Sequence, residues 1–550
     1  MVSKRRVAIV AMLLAGLLSL TISPISAVAD GQTWSVSTWE MPFEGPLNKP
    51  SLLDTSVIVQ PSSDPTDSVR EYWCTDMTGP NCKPDTIERA SLVMPLCAEV
   101  DAKFCIQGLK FTLADGTEYE SHLVRGFNQT PSVALPERGL PSGSTGQLWS
   151  APASLKDEGI DGFYVEVREE FMTLPGSENN YLKQWHTTAV LVPYKGVLAP
   201  EARTPQYQPN RSELNGKPWI FYTLMSGNCL PATADTRVIW QGDGECGLMA
   251  NFPEGLRPEL SFRDSPSSSN WFNARLDDPK LSSVLGPLGR AVTISGLPVT
   301  IPTVSYGGDM TVAASDALKT GWNADQIAQS THWLIPSNHQ QALRELNAVL
   351  PLGNDTTTSE LQVWSFSSVA TAVASSKIGS CAARTQGVAG MVFMNGTVFD
   401  AGMPTLEDGS LNFHVASPHF AVDGKTPNEG SYTMILDDNV ARCIYGFSND
   451  PVQASISVWT ADGQEKAATT IVSDKDGWLK LTARGFTYSS PTIKATLTQP
   501  ESPTPTPVQS QGSSNGSSVK KTTITCVKGK VTKKITGSAP KCPAGYKKKA

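Results

Sequence analysis

Short runs of alternating apolar and polar residues, interrupted repeatedly by Gly, Pro, Asn and Asp, make up most of this chain, and a period of two marks strands with one covered face. The clearest hairpin lies at 108–124. Leu109, Phe111 and Leu113 share one face there, and Asp115-Gly116 accepts the positive φ values of a tight type I′ turn. Phe163, Val165 and Val167 repeat the pattern with Tyr164, Glu166 and Arg168 on the other side, which predicts a half-buried antiparallel strand. β-type runs continue at 219–224, 237–240 and 292–304. Residues 454–460 and 465–472 flank a second Asp-Gly turn, and Asp474-Lys475-Asp476-Gly477 turns into a strand at 478–483. The string Ala-Asp-Gly-x-Glu, shared by 114–118 and 461–465, is read as two hairpins using one good turn rather than as related domains.

One stretch departs from this pattern. Residues 311–350 read as helical: Ser337 followed by Gln340 resembles a capping box, Ala342, Leu343, Leu346, Val349 and Leu350 recur at helical spacing, and Pro351 marks the end. Residues 323–330 add a short helix. The expected fold class is therefore mainly β, with two or more antiparallel β-sandwich-like domains and a small helical segment near 323–350. No tryptophan lies between Cys381 and Cys443, so an immunoglobulin arrangement is not favoured. The expected divisions are a β-rich domain at 30–200, a β and loop region at 201–310 with an exposed loop at 263–270, the helical segment at 311–350 and a β-sandwich-like domain at 360–498. Residues 499–519 carry almost no apolar side chain and read as a disordered Pro/Ser/Gly linker. A basic module at 520–550 follows.

Lys4, Arg5 and Arg6 precede an apolar run from Val7 to Leu20 and a small-residue exit at Ala27-Val28-Ala29, the layout of an export signal over 1–29. The run is too short for an ordinary spanning helix, which needs about 20 residues; an uncleaved anchor is the weaker alternative. No other run reaches membrane length, so no transmembrane segment is expected in the mature chain. Export places all ten cysteines in an oxidising compartment, where an even set implies disulfides. Neighbour pairing gives Cys74 with Cys82, Cys97 with Cys105, Cys229 with Cys246, Cys381 with Cys443 and Cys526 with Cys542; the first four could also pair crosswise. Zinc is not favoured, since no Cys-x-x-Cys occurs and the six histidines are scattered.

Charge sharpens the picture. The formal net charge is −7, yet 520–550 holds ten lysines and no acidic residue, whereas 30–519 holds 32 basic against 52 acidic residues. An acidic body argues against nucleic acid as its partner and leaves the tail as the segment suited to a polyanion. Its binding candidates are Lys528, Lys530, Lys533, Lys534, Lys541, Lys547, Lys548 and Lys549.

Catalytic signals are weak. There is no Gly-x-Ser-x-Gly, and Ser518-Val519-Lys520-Lys521 matches Ser-x-x-Lys only within the linker. His122, His186, His332, His339, His414 and His419 show no His-Glu-x-x-His spacing. Glu166, Glu169 and Glu170, and Asp437 with Asp438, are carboxylates of the kind a glycosidase pairs, but each reads as a solvated face or a turn. The 474–477 turn lacks the further ligands of a calcium loop. Trp34, Trp39, Trp73, Trp149 and Trp271 could stack on sugars, although filling β cores is the commoner use. No catalytic residue, cofactor or metal ligand is assigned.

The tail itself, TITCVKGKVTKKITGSAPKCPAGYKKK, resembles the short basic Cys-containing tail ending in Cys-Pro-Ala-Gly-Tyr-Lys found on many exported actinobacterial proteins. Separately, VARCIYGFSNDPVQASISVWTADGQ, SDKDGWLK and SSPTIKATLTQ resemble uncharacterised exported proteins of the same bacteria. The resemblance implies secretion and envelope association and supplies no reaction. The expected function is a non-enzymatic binding or display protein at the cell surface or wall, retained when the tail meets anionic envelope polymers or glycans. The alternatives are a secreted hydrolase acting on polysaccharide or wall material, and a tail that folds back on its own acidic body.

Overall fold

The computed structural model describes residues 33–38, 52–57, 70–74, 87, 89–97, 103–127, 134–173, 181–198, 207–214, 217–224, 238–242, 245–265, 270–324, 327, 331–334, 339–369, 377–385, 387–400, 402–447, 453–459, 465–466, 469–475, 477–488, 492–498, 522–528, 531–537, 540–543 and 545–549, some of them through the backbone alone. Residues 1–499 form one compact unit and 500–550 a second. The protein is mainly β, with antiparallel sheets and few helices, as its alternation predicts.

The elements that build the large unit are β1 (Arg89–Val93), β2 (Cys105–Thr112), β3 (Glu118–Ser121), β4 (Gln147–Ser150), β5 (Gly162–Thr173), β6 (Leu182–Leu198), β7 (Arg257–Asp264), β8 (Trp271–Gly286), β9 (Gly289–Thr303), α1 (Val312–Leu318), α2 (His339–Val349), β10 (Ser359–Ser368), α3 (Lys377–Ala382), β11 (Gly390–Met394), β12 (Ser410–Ala416), β13 (Glu429–Asp437), α4 (Asp438–Tyr445), β14 (Gln453–Trp459), β15 (Thr469–Lys475), β16 (Trp478–Thr487) and β17 (Thr492–Thr498). A central sheet runs β1-β5-β6-β10-β8-β11-β13-β16-β15. All its neighbours are antiparallel except β8 and β11.

A second sheet, β3-β2-β7-β9 with the far half of β8, covers one face of the central sheet. Phe111, Leu260, Phe262, Val292 and Ile294 from this sheet meet Phe163, Val165, Leu191, Trp364, Phe366 and Phe393 from the central one in a continuous core. The opposite face, over β11, β13 and β16, is covered by a third layer of β12, β17 and β14 with α3 and α4. The expected sandwich is therefore a stack of three layers with a shared middle sheet.

Strands from all three expected β regions pair within one sheet: residues 188–191 of β6 pair with β10, and β10 pairs with β8. The divisions at 30–200, 201–310 and 360–498 are thus not separate bodies. The cause is strand length. β8 pairs with β10 and β11 through residues 271–275, then with β9 from Leu276 onward, so one strand serves two sheets. Its crossing point is a bulge between Asp277 and Lys280, with Asp278 at φ 43°. Arg484 holds Asp277 through two bonds of 2.6 and 2.8 Å, and Arg257 holds Asp278 at 2.6 Å.

Local expectations fare unevenly. The hairpin forms with Thr112 opposite Glu118, and Leu109 and Phe111 are fully buried. Its turn is not type I′, because Gly116 alone has positive φ and Asp115 instead accepts a bond from Thr117 N–H at 2.8 Å. The strand at 163–168 is buried on both faces, Tyr164 at 0 % and Glu166 at 6 % exposure, so it is not half-buried. α2 buries Ala342, Leu346 and Val349, and the chain continues past Pro351 in a 3-10 turn, Leu350–Gly353. Two short helices, α3 and α4, were not expected; Asp437 caps α4 by accepting from Val440 N–H at 3.0 Å.

Cys381 on α3 and Cys443 on α4 are disulfide-bonded, as are Cys97 with Cys105 and Cys526 with Cys542. The expected pair Cys74 with Cys82, and Cys229 with Cys246, lies outside the described side chains. The 381–443 bond closes a loop of 62 residues, which predicts that Cys381→Ser with Cys443→Ser lowers stability by about 4 kcal/mol on chain entropy. Denaturant unfolding of the double variant measures this, and a loss of under about 1 kcal/mol would show that α3 and α4 dock without the staple.

Candidate functional site

The terminal module is built from three strands, β18 (Thr522–Lys528), β19 (Val531–Gly537) and β20 (Lys547–Lys548), with β18 in the middle. Its core is minimal: Cys526 is fully buried and Ile524 nearly so. A sheet this small needs a staple, and the Cys526–Cys542 bond over 16 residues supplies one of about 3 kcal/mol. Lys533 and Lys548 stand on either side of Cys526 in register, whereas Lys534 pairs with Thr525 and Lys547 with Val527. Cross-strand partners share a face and successive residues alternate, so lysines occupy both faces.

Lys528, Lys533, Lys534, Lys541, Lys547, Lys548 and Lys549 are exposed; Lys530 lies outside the described residues. Lys533 Nζ also stands 5.6 Å over the Tyr546 ring. The module presents seven exposed lysines among its described residues and has no acidic side chain in 520–550.

The remaining candidates are placed as follows. Trp34, Trp149 and Trp271 are core residues at 5 % exposure or less, while the side chains of Trp39 and Trp73 lie outside the described residues. His414 Nδ1 bonds Asp400 at 2.9 Å, a hydrogen bond that raises its pKa, and His419 Nδ1 bonds the Tyr488 carbonyl. They share no metal site, and no group of three potential ligands exists among the described residues. His122 Nδ1 lies 2.9 Å from Ser150 Oγ, an oxygen that also accepts from Tyr119 OH and His122 N–H. His332, His339 and the 518–521 motif lie outside the described side chains. Asp438 pairs with Arg442, and Asp474 and Lys475 are the last residues of β15, opposite Leu479 and Trp478.

The carboxylates of β5 depart from expectation. Glu166 is buried against Arg168 and Tyr164 OH, and Glu169 is 1 % exposed inside the sandwich. Both parities of this strand are buried: Phe163, Val165 and Val167 lie in the main core, and Tyr164 in a second cluster with Phe127, Leu148, Val190, Val192 and Tyr194. Gln184 Nε2 and Thr187 Oγ1 both donate to Glu169 Oε2, the latter at 3.0 Å, and Oε1 has no partner among the described residues. Asp264, expected on an exposed loop, is fully buried and accepts two bonds from Arg290, from Nε at 2.8 Å and Nη2 at 2.5 Å. Arg290 Nη1 reaches Asn270 Oδ1 at 2.8 Å and the Gly387 carbonyl at 3.2 Å.

Burial, followed by repulsion from Asp264, pushes the Glu169 pKa well above the ordinary carboxylate range, against the opposing pull of Thr187 and Arg290. The shift favours the protonated form, which lessens the repulsion between Glu169 and Asp264. Glycosidase carboxyls flank a substrate cleft; this pair is enclosed by core, and Asp264 is fully engaged by Arg290.

Compared with known proteins, the chain matches no family model, no curated protein and no solved structure.

Because the folded pKa of Glu169 lies above its unfolded value, the folded state binds more protons in between. Its contribution to stability is complete below about pH 4 and declines by roughly a kcal/mol per pH unit as pH rises toward the folded pKa. Glu169→Gln mimics the protonated acid. The variant should match wild type near pH 4 and exceed it at pH 8 in denaturant titrations; a wild type that gains stability over the variant with rising pH contradicts the protonated assignment.

Proposed function

We propose that this is an exported protein of the bacterial surface or wall that acts by binding or display, and that its terminal module retains it on anionic envelope polymers or glycans. The observation that carries this reading is the stapled sheet of exposed lysines on both faces, set at the end of a chain whose body is strongly acidic. A disordered lysine run would attract polyanions equally at long range, but a folded one holds its charges at fixed spacing and loses less entropy when it binds.

Export is supported by the 1–29 signal pattern and by three disulfides, which persist in oxidising compartments. No helix among the described residues is long and apolar enough to cross a membrane. Binding rather than catalysis is supported by the use of His122, His414, His419, Glu166 and Asp264 in structural bonds.

Lysine binding to a polyanion releases counterions and weakens with salt. Raising salt from about 0.15 to 1 M shortens the Debye length from about 8 to 3 Å and should elute the full-length protein from isolated walls. Deleting 520–550 should send the chain to the medium in cell fractionation. Wall association that survives the deletion, or that ignores salt, would remove the retention role from this module.

A further inference from the structure

Among the described residues seven large apolar side chains are exposed, and three of them, Val284 at 63 %, Leu285 at 48 % and Leu288 at 40 %, lie within five consecutive positions at the β8-β9 hairpin tip. Gly286 and Pro287 complete the tip, so 284–288 hold no polar side chain. Gly286 pairs with Gly289 across a two-residue turn, which keeps the ribbon hydrogen-bonded to its end. β7 stops at Asp264, opposite Arg290. Leu285 stands in that row, opposite Arg290, and residues 286–289 extend past the last paired residue of β7 by about 7 Å at 3.3 Å per residue.

The foot of this knob is rigid. Arg290, the residue after the turn pair, is fixed in the core by Asp264, Asn270 and Gly387. On the other strand Ser283 Oγ accepts from Val388 N–H at 3.2 Å. An apolar tip on a floppy loop folds back on its own surface; one clamped by a buried ion pair stays extended.

We propose that the β8-β9 tip is a lipid-inserting loop, which dips Val284, Leu285 and Leu288 into the outer edge of an acyl layer. Its reach of about 7 Å fits the 5–10 Å to which interfacial elements sink, and the Gly286–Gly289 pair keeps the ribbon joined to its end.

Area decides against a second copy of the chain. Three half-exposed side chains offer on the order of 200 Å², so two tips together bury on the order of 400 Å², against the roughly 1,200 Å² of a stable interface. Chemistry decides against a protein pocket, since such interfaces carry about one hydrogen bond per 100–200 Å² and the tip has no polar side chain to supply one. A single shallow insertion binds reversibly.

The test uses full-length mature protein and phosphatidylcholine vesicles, whose zero net charge gives the tail lysines nothing to hold and so separates this site from the retention module. Wild type should co-sediment with neutral vesicles, and Leu285→Asp with Leu288→Asp should reduce the bound fraction at least tenfold with an unchanged circular dichroism spectrum, since both positions are exposed. Leu288→Trp should bind more tightly and lose fluorescence to lipids brominated along the acyl chain. Wild type that stays in the supernatant, equal binding by the aspartate variant, an unquenched Leu288→Trp, or a concentration-dependent dimer abolished by the aspartates each overturns the lipid assignment.

Discussion

The fully buried pair of Arg290 and Asp264 is the constraint around which one end of the sandwich is arranged. A guanidinium without water must place its donors on protein acceptors. Both Asp264 oxygens, Asn270 Oδ1 and the Gly387 carbonyl meet that demand, while the Phe272 ring lies 5.9 Å from the guanidinium carbon. Asn270 in turn donates to the carbonyls of Ala382 and Thr385. One side chain therefore ties β7, β8 and β9 to the segment between α3 and β11. Desolvation cancels much of the attraction in such a pair, so its main consequence is register rather than gross stability. Glu169 lies beside it with a pKa raised by burial and by Asp264.

Long strands explain why three apparent β regions are one body. β8, β9 and β10 each pair in more than one direction along their length, and the bulge at 277–280 lets β8 leave the middle sheet without breaking its hydrogen bonding. Arg257 on β7, with Lys480 and Arg484 on β16, fixes the two aspartates at that corner. The hairpin that β8 and β9 form beyond the corner is consequently a stiff projection. Among the described residues its tip gathers three exposed apolar side chains and the terminal module seven exposed lysines.

What the amino-acid pattern revealed was local. Alternation at Leu109 and Phe111 and at Phe163, Val165 and Val167, the helical spacing of Ala342, Leu346 and Val349, and the composition of 520–550 all depend on near neighbours, and near neighbours decide them. Burial of Glu166, Glu169, Asp264 and Arg290 depends on a second covering layer and on partners up to about 100 positions away in the chain. A signal was present nonetheless: apolar residues at both parities in GFYVEVREEFM, with Phe163 beside Tyr164 and Phe171 beside Met172, mark a strand covered twice. Asp437 likewise carried a cap signature that its setting among strands concealed. The boundaries at 200 and 310 failed because shared strands leave no change of composition where one sheet becomes another.

The central claim is that Arg290 and Asp264 act as one neutral unit whose removal as a unit the fold tolerates and whose separation it does not. Denaturant unfolding of Arg290→Met, Asp264→Leu and the double variant tests it directly. Each single substitution strands a buried charge and should cost about 3–5 kcal/mol, while the double variant should return to within about 1 kcal/mol of wild type. Single costs below about 1 kcal/mol, or a double variant as unstable as the sum of the two, would contradict the account.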